Sequence, residues 1–84
     1  MTAPRLTLLG KPGCHLCDDA RAVLAEVLAD FPAVTFEELS ILEDERLLAE
    51  YVEDIPVVLI DERVHSTWRV DAVRLRRRLE EATV

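Results

Sequence analysis

The spacing of hydrophobic positions changes several times along this chain, and each change marks an element. Leu6, Leu8 and Leu9, interrupted by Arg5 and Thr7, alternate imperfectly over residues 5 to 9. This predicts a first strand with one face on a core. From Cys14 onward, Ala20, Val23, Leu24, Val27, Leu28 and Phe31 recur at steps of three and four, the stripe of a helix over about 14 to 30. Asp18 and Asp19 fall in its first turn, where acids suit the helix dipole. Phe31-Pro32 ends it, because the residue before a proline is pushed out of the helical region. Residues 33 to 39 (Ala-Val-Thr-Phe-Glu-Glu-Leu) are β-prone and carry two glutamates, as expected of an exposed edge strand.

Ser40, or the residues just after it, can cap a short acidic second helix with Leu47, Leu48 and Tyr51 on its narrow apolar side. Ile55-Pro56-Val57-Val58-Leu59-Ile60 is apolar on both faces, the mark of a central strand, with proline first where a missing N–H is tolerated. Asp61-Glu62 is too short a link for a crossover, so Arg63–Thr67 must return antiparallel. Asp71 is placed to cap a last helix, with Ala72, Leu75, Leu79 and Ala82 on one face and Arg74, Arg76, Arg77 and Arg78 around the solvated remainder. The order is βαβαββα: one α/β domain over residues 1–84, a four-stranded mixed sheet with three helices, opening with a right-handed parallel crossover.

Composition narrows the partners. Half of the 84 residues are hydrophobic, enough for a core without staples, and a Cys14–Cys17 bridge would close too short a loop to be the main stabiliser. A net charge of −7 argues against nucleic acid and anionic membranes. With no long apolar segment at the N-terminus, neither a signal peptide nor a spanning helix is expected, so the chain reads as a cytoplasmic monomer.

The chemistry is concentrated in Lys11-Pro12-Gly13-Cys14-His15-Leu16-Cys17, which holds both cysteines. A Cys-x-x-Cys where a strand turns into a helix lies at a helix N-terminus, whose unpaired amides favour a thiolate at Cys14. Residues three apart share a helix face, so the two sulfurs can meet with little backbone movement. Three readings follow. The first is a redox dithiol. The second is a zinc or iron–sulfur module, which would need two chains, since beyond the cysteines the sequence offers only His15 and His65. The third is a partner-binding adaptor without turnover. His15 could support the Cys14 thiolate when protonated, or be a solvated spacer with Asp18 and Asp19 beside it.

A strand, a turn with Gly10, Pro12 and Gly13, and Cys-x-x-Cys opening a helix resemble the thioredoxin superfamily, and its glutaredoxin branch in particular. The resemblance covers nearly the whole chain. It implies that Cys14 attacks a substrate disulfide, that Cys17 resolves the mixed disulfide, and that no bound cofactor is required. It also implies a cis bond at Ile55-Pro56 facing the cysteines, with the Ile55 backbone pairing with substrate. Lys11 matches a lysine that contacts the glycyl carboxylate of glutathione in many glutaredoxins, which makes glutathione a possible co-substrate.

Two departures qualify this. Asp54-Ile55-Pro56 stands where Thr-Val-Pro is usual, and Ser66-Thr67-Trp68-Arg69-Val70-Asp71 lacks the Gly-Gly pair that receives the γ-glutamyl end of glutathione. The aromatic-Arg-x-Asp text is similar to the redoxins that serve ribonucleotide reductase and take electrons from thioredoxin reductase. Either donor is therefore compatible with the resemblance, and the overall text is most similar to small bacterial glutaredoxin-like proteins. Trp68 is expected to cover the core between the last strand and the last helix.

Overall fold

The computed structural model describes residues 3–83. The strands are β1 (Arg5–Gly10), β2 (Thr35–Ser40), β3 (Val57–Ile60) and β4 (Arg63–Thr67). The helices are α1 (His15–Leu28), α2 (Glu45–Tyr51) and α3 (Ala72–Ala82), with a short 3-10 turn at Ile41–Glu43 before α2. The element order is the one the hydrophobic pattern predicts. The sheet runs β2-β1-β3-β4, with β1 parallel to β2, and antiparallel pairing of β1 with β3 and of β3 with β4.

Residue alternation along β1 divides the core between the two faces of the sheet. Leu6 and Leu8, with Val58 and Ile60, pack against Ala20, Leu24 and Val27 of α1 and Leu75 and Leu79 of α3. Leu9 and Val57 share a second cluster with Cys17, Ile41 and Ile55, which Leu47 and Tyr51 of α2 flank. The single-faced first strand expected from its alternation is thus corrected. β1 is interior to the sheet and covered on both sides, and even Thr7 keeps only 8% of its surface exposed. β2, by contrast, is the exposed edge its glutamates predict.

Local chemistry accounts for the other shifts. α1 stops at Leu28, short of the expected residue 30, and the chain turns through bonds from the Asp30 N–H to the Val27 carbonyl and from the Phe31 N–H to the Leu28 carbonyl. Pro32 cannot extend the helix. The expected second helix divides in two because two residues act as caps, the expected Ser40 and, four residues on, Asp44. The Ser40 hydroxyl accepts from the Leu42 N–H and the Asp44 carboxylate from the Arg46 N–H. Leu48 points outward rather than joining the apolar side, and Ile41, fully buried, supplies the contact instead.

β3 starts at Val57, two residues late, since Pro56 has no N–H to donate to the ladder; the Ile55-Pro56 peptide is cis. At the β3–β4 turn Asp61 and Glu62 both adopt positive φ, the conformation of a tight hairpin. Asp61 then fastens this turn to the start of β1: its N–H donates to the Arg5 carbonyl at 2.8 Å, and its carboxylate accepts from the Arg5 N–H at 2.9 Å. None of the helices is long and apolar enough to cross a membrane among the described residues.

Candidate active site

Cys14 and Cys17 sit where β1 ends and α1 begins, and their environments differ. Cys14 is the N-cap of α1: its backbone is extended, and its sulfur accepts the Cys17 N–H at 3.2 Å. An amide aimed at that sulfur at the positive end of a helix suits an anion. Gly13, with φ of 77°, supplies the left-handed turn that brings the chain round to this cap. Cys14 is half-buried, whereas Cys17, one turn further in, is fully buried.

Burial pushes the Cys17 thiol up from its ordinary 9.0 to about 11. The hydrogen bond with the Cys14 sulfur pushes the same way, while the Lys11 backbone N–H and, more weakly, Arg21 oppose it. Gly10 makes the burial possible, because a Cβ there would come within 3.0 Å of the Cys17 sulfur.

Ile55 and Pro56 close the site from the β3 side. Ile55 belongs to the buried cluster that contains Cys17, with Cys14 packed against it. The Ile55 N–H donates to the Tyr51 carbonyl at 3.2 Å, whereas its carbonyl accepts no backbone bond among the described residues. The cis Ile55-Pro56 bond is the one the resemblance implies.

Lys11 is exposed and lines a groove of about 330 Å³ with Arg21, Glu38 and Ser40. Arg21 is already engaged there, by Glu38 at 2.6 Å and Asp18 at 2.7 Å, and it holds the Glu38 carboxyl below its usual range. Lys11 forms no ion pair among the described residues. His15, exposed at the first position of α1, makes no side-chain hydrogen bond among the described residues. Asp18 is taken by Arg21 rather than by His15.

Trp68 departs most from its expected place. Its ring is 56% exposed and does not cover the core. The indole N–H donates to the Glu53 carbonyl at 2.8 Å, and the backbone N–H donates to the Pro56 and Asp54 carbonyls at 2.9 and 3.2 Å. This fastens the loop before α3 to the loop before β3. The φ of 65° at Trp68 turns its side chain to the surface, a conformation uncommon for a bulky residue and often met at functional sites. There, with Leu16 and Val23 of α1 and with Arg69 and Val70, it walls a small groove of about 160 Å³ beside the cysteines. Its sequence context before a helix cap was visible, but nothing in the text announced the positive φ.

Comparison with known proteins agrees with this architecture. The uncharacterized protein Rv0508 of Mycobacterium tuberculosis is 33% identical over 87 residues, spanning 99% of this chain and 90% of its own. The X-ray structure of a structural-genomics target protein, XcR50 from X. campestris, superposes with a TM-score of 0.74 at 35% identity, covering 92% of this chain and 97% of that one. Oxidised thioredoxin from Plasmodium falciparum shares the fold at a TM-score of 0.68 and 11% identity, over 99% of this chain and 84% of its own. The four-stranded mixed sheet with its three helices is therefore a thioredoxin-like fold. Residues 5–80 match the Glutaredoxin-like domain (DUF836), and the chain belongs to that family.

Proposed function

We propose that this protein is a dithiol–disulfide oxidoreductase in which Cys14 is the nucleophile and Cys17 the resolving thiol. The observation that carries the reading is the asymmetry of the pair: a half-buried sulfur capped by the Cys17 amide, and a fully buried thiol held protonated behind it.

The Cys14 thiolate attacks one sulfur of a substrate disulfide, forming a mixed disulfide and releasing the other sulfur as a thiolate that takes up a proton. Cys17 then loses its proton and attacks the Cys14 sulfur. A Cys14–Cys17 disulfide forms, and the second substrate thiol leaves. The substrate gains two electrons and the protein loses two, so each cycle needs an external thiol reductant. Helix geometry keeps Cys17 within reach of Cys14, and burial keeps it neutral until the mixed disulfide presents a target.

The electron donor is a small thiol such as glutathione or a thioredoxin reductase, and the site supports weak use of glutathione. The amides of Val73 and Arg74 at the start of α3, which could receive a carboxylate, are already bonded to Asp71 at 3.0 and 3.1 Å. Lys11 offers a cation for the other end of that tripeptide. The Ile55 carbonyl, which accepts no backbone bond among the described residues, and the rim formed by Trp68 offer backbone and apolar contacts to a polypeptide disulfide.

Turnover of a model protein disulfide tests both parts, with either glutathione and its reductase or thioredoxin reductase as sole donor. Reduction by the wild type that is lost in Cys14→Ser is expected, with poor saturation by glutathione. Wild-type protein inactive with both donors overturns the oxidoreductase. Tight saturation by glutathione, with Lys11 and the Ile55 backbone protected on binding, overturns only the donor preference.

A further inference from the structure

The end of the molecule away from the cysteines gathers charge that the redox site does not use. Arg63 and His65 of β4 face Arg74, Arg77 and Arg78 of α3 across a groove of about 400 Å³, with Glu81 the one acid on its walls. Four of the ten basic side chains of a chain with net charge −7 meet here. Among the described residues none of these four arginines is in an ion pair, although Arg5 and Arg76 each have one and Arg21 has two. Sequence reading places Arg76 in the same cluster, but the structure removes it to Asp30, at 2.6 Å, and brings in Arg63 instead.

The strand contributes a specific device. Ser66 pairs with Val58 and Val64 with Leu59, so His65 is the extra residue of a β-bulge. Bulges re-aim side chains, and this one sets the imidazole beside Arg74 and Arg78. It is the only half-buried residue among the groove's charged or titratable side chains, the four arginines and Glu81 being exposed.

We propose that the groove between β4 and α3 is a binding site for a compact small molecule bearing two or more linked phosphates. Guanidinium forks match phosphate oxygens in pairs, and four of them against one carboxylate leave a surplus that a single monoanion would not neutralise. The volume lies in the range of small-ligand sites. The acidic surface elsewhere on the chain disfavours a long polyanion, which would have to run past it.

The experiment titrates the full chain in 0.15 M salt with inorganic tripolyphosphate and follows side-chain NMR signals of His65 and the arginines. Saturable shifts confined to the groove are expected. His65 is held below its usual range by burial, then by Arg74 and Arg78, with Asp71 opposing. A bound anion therefore raises its titration midpoint. The double variant Arg77→Gln with Arg78→Gln, at exposed positions, should weaken binding by about tenfold or more. Arg76→Gln should leave it unchanged.

Absence of saturation, shifts spread over the whole surface, or equal affinity of the double variant overturns the site. Citrate binding as tightly as tripolyphosphate overturns the phosphate class. Single-stranded DNA binding more tightly than tripolyphosphate overturns the compact ligand. The rate of Cys14 alkylation, measured on the same variants, reports that the fold is intact.

Discussion

At the cysteine end of the sheet the backbone does the positioning, whereas between β4 and α3 the side chains stand free. Cys14 is fixed by an N-cap bond from the Cys17 amide, by Gly13 in a left-handed turn and by the absence of a Cβ at Gly10. Trp68 is fixed by three hydrogen bonds, to the carbonyls of Glu53, Asp54 and Pro56. Among the described residues the arginines of the groove have no such ties. The difference fits the chemistry proposed for each end. Disulfide exchange needs two sulfurs aligned, and misplacement removes it, while attraction of an anion tolerates flexible cations.

Exchange of sulfur for oxygen breaks the comparison most severely. Cys14→Ser should lose all turnover and trap nothing, because the serine hydroxyl does not replace a thiolate. Cys17→Ser should still attack a disulfide and then accumulate as a mixed disulfide, seen as a covalent adduct under non-reducing conditions. Equal trapping by the two variants would reverse or dissolve the assignment of roles.

A second test reads the burial of Cys17. With its thiol at about 11, its thiolate fraction at neutral pH is roughly 10⁻⁴. Mass spectrometry should show one alkylation at pH 7 to 8 and a second only as the pH approaches 11. Folding holds this thiol in its neutral form above the ordinary 9.0. Its contribution to the stability of the reduced protein is therefore complete below about pH 9 and lost as pH rises through about 11. Denaturant midpoints across that window check the sign.

Gly10→Ala tests whether the backbone at the cysteine end is as unyielding as it looks. The added methyl meets the Cys17 sulfur at 3.0 Å and its Cβ at 3.4 Å. Overpacking of this kind costs about 1–3 kcal/mol, and each kcal/mol lowers the thermal midpoint of a domain this size by roughly 4–8 °C. An unchanged midpoint would show that Cys17 moves aside easily. Trp68→Phe is smaller: losing the indole bond to the Glu53 carbonyl should cost about 1 kcal/mol, measured by denaturation.

The smallest expected effect sharpens the separation of the two ends. Ile60 pairs with Leu6, near the start of β1, while the cysteines follow its end at Gly10. At about 3.3 Å per residue the ends of β1 lie roughly 16 Å apart, beyond the Debye length of about 8 Å at physiological salt. Arg77→Gln with Arg78→Gln should therefore change the Cys14 alkylation rate by less than about twofold. A larger change would join the groove to the redox site.

The order of elements and the place of the cysteine pair at the start of α1 were legible in the text because they rest on local rules. Helical and strand periods, the caps at Ser40 and Asp71, and the position of Cys-x-x-Cys at the start of a helix all lie within a few neighbouring residues. Where local rules competed, the boundaries moved. Asp44 proved as good a cap as Ser40, so one helix became two pieces, and Pro56, which has no N–H to donate, delayed β3.

What the sequence by itself determined was therefore the set of elements, the edge character of β2 and the placing of Cys14 and Cys17 together at the start of α1. Short-range spacing and side-chain chemistry specify each of these. Only the tertiary structure decided that β1 is buried on both faces, that Trp68 faces outward, and which arginines share a groove. β1 became interior because β3 pairs on its far side, the ring of Trp68 is set by carbonyls twelve to fifteen residues away, and Arg63 reaches Arg77 only once β4 lies beside α3. Contacts made across such separations leave no periodic signature in the chain, since burial and charge clustering belong to the packed arrangement rather than to any one segment.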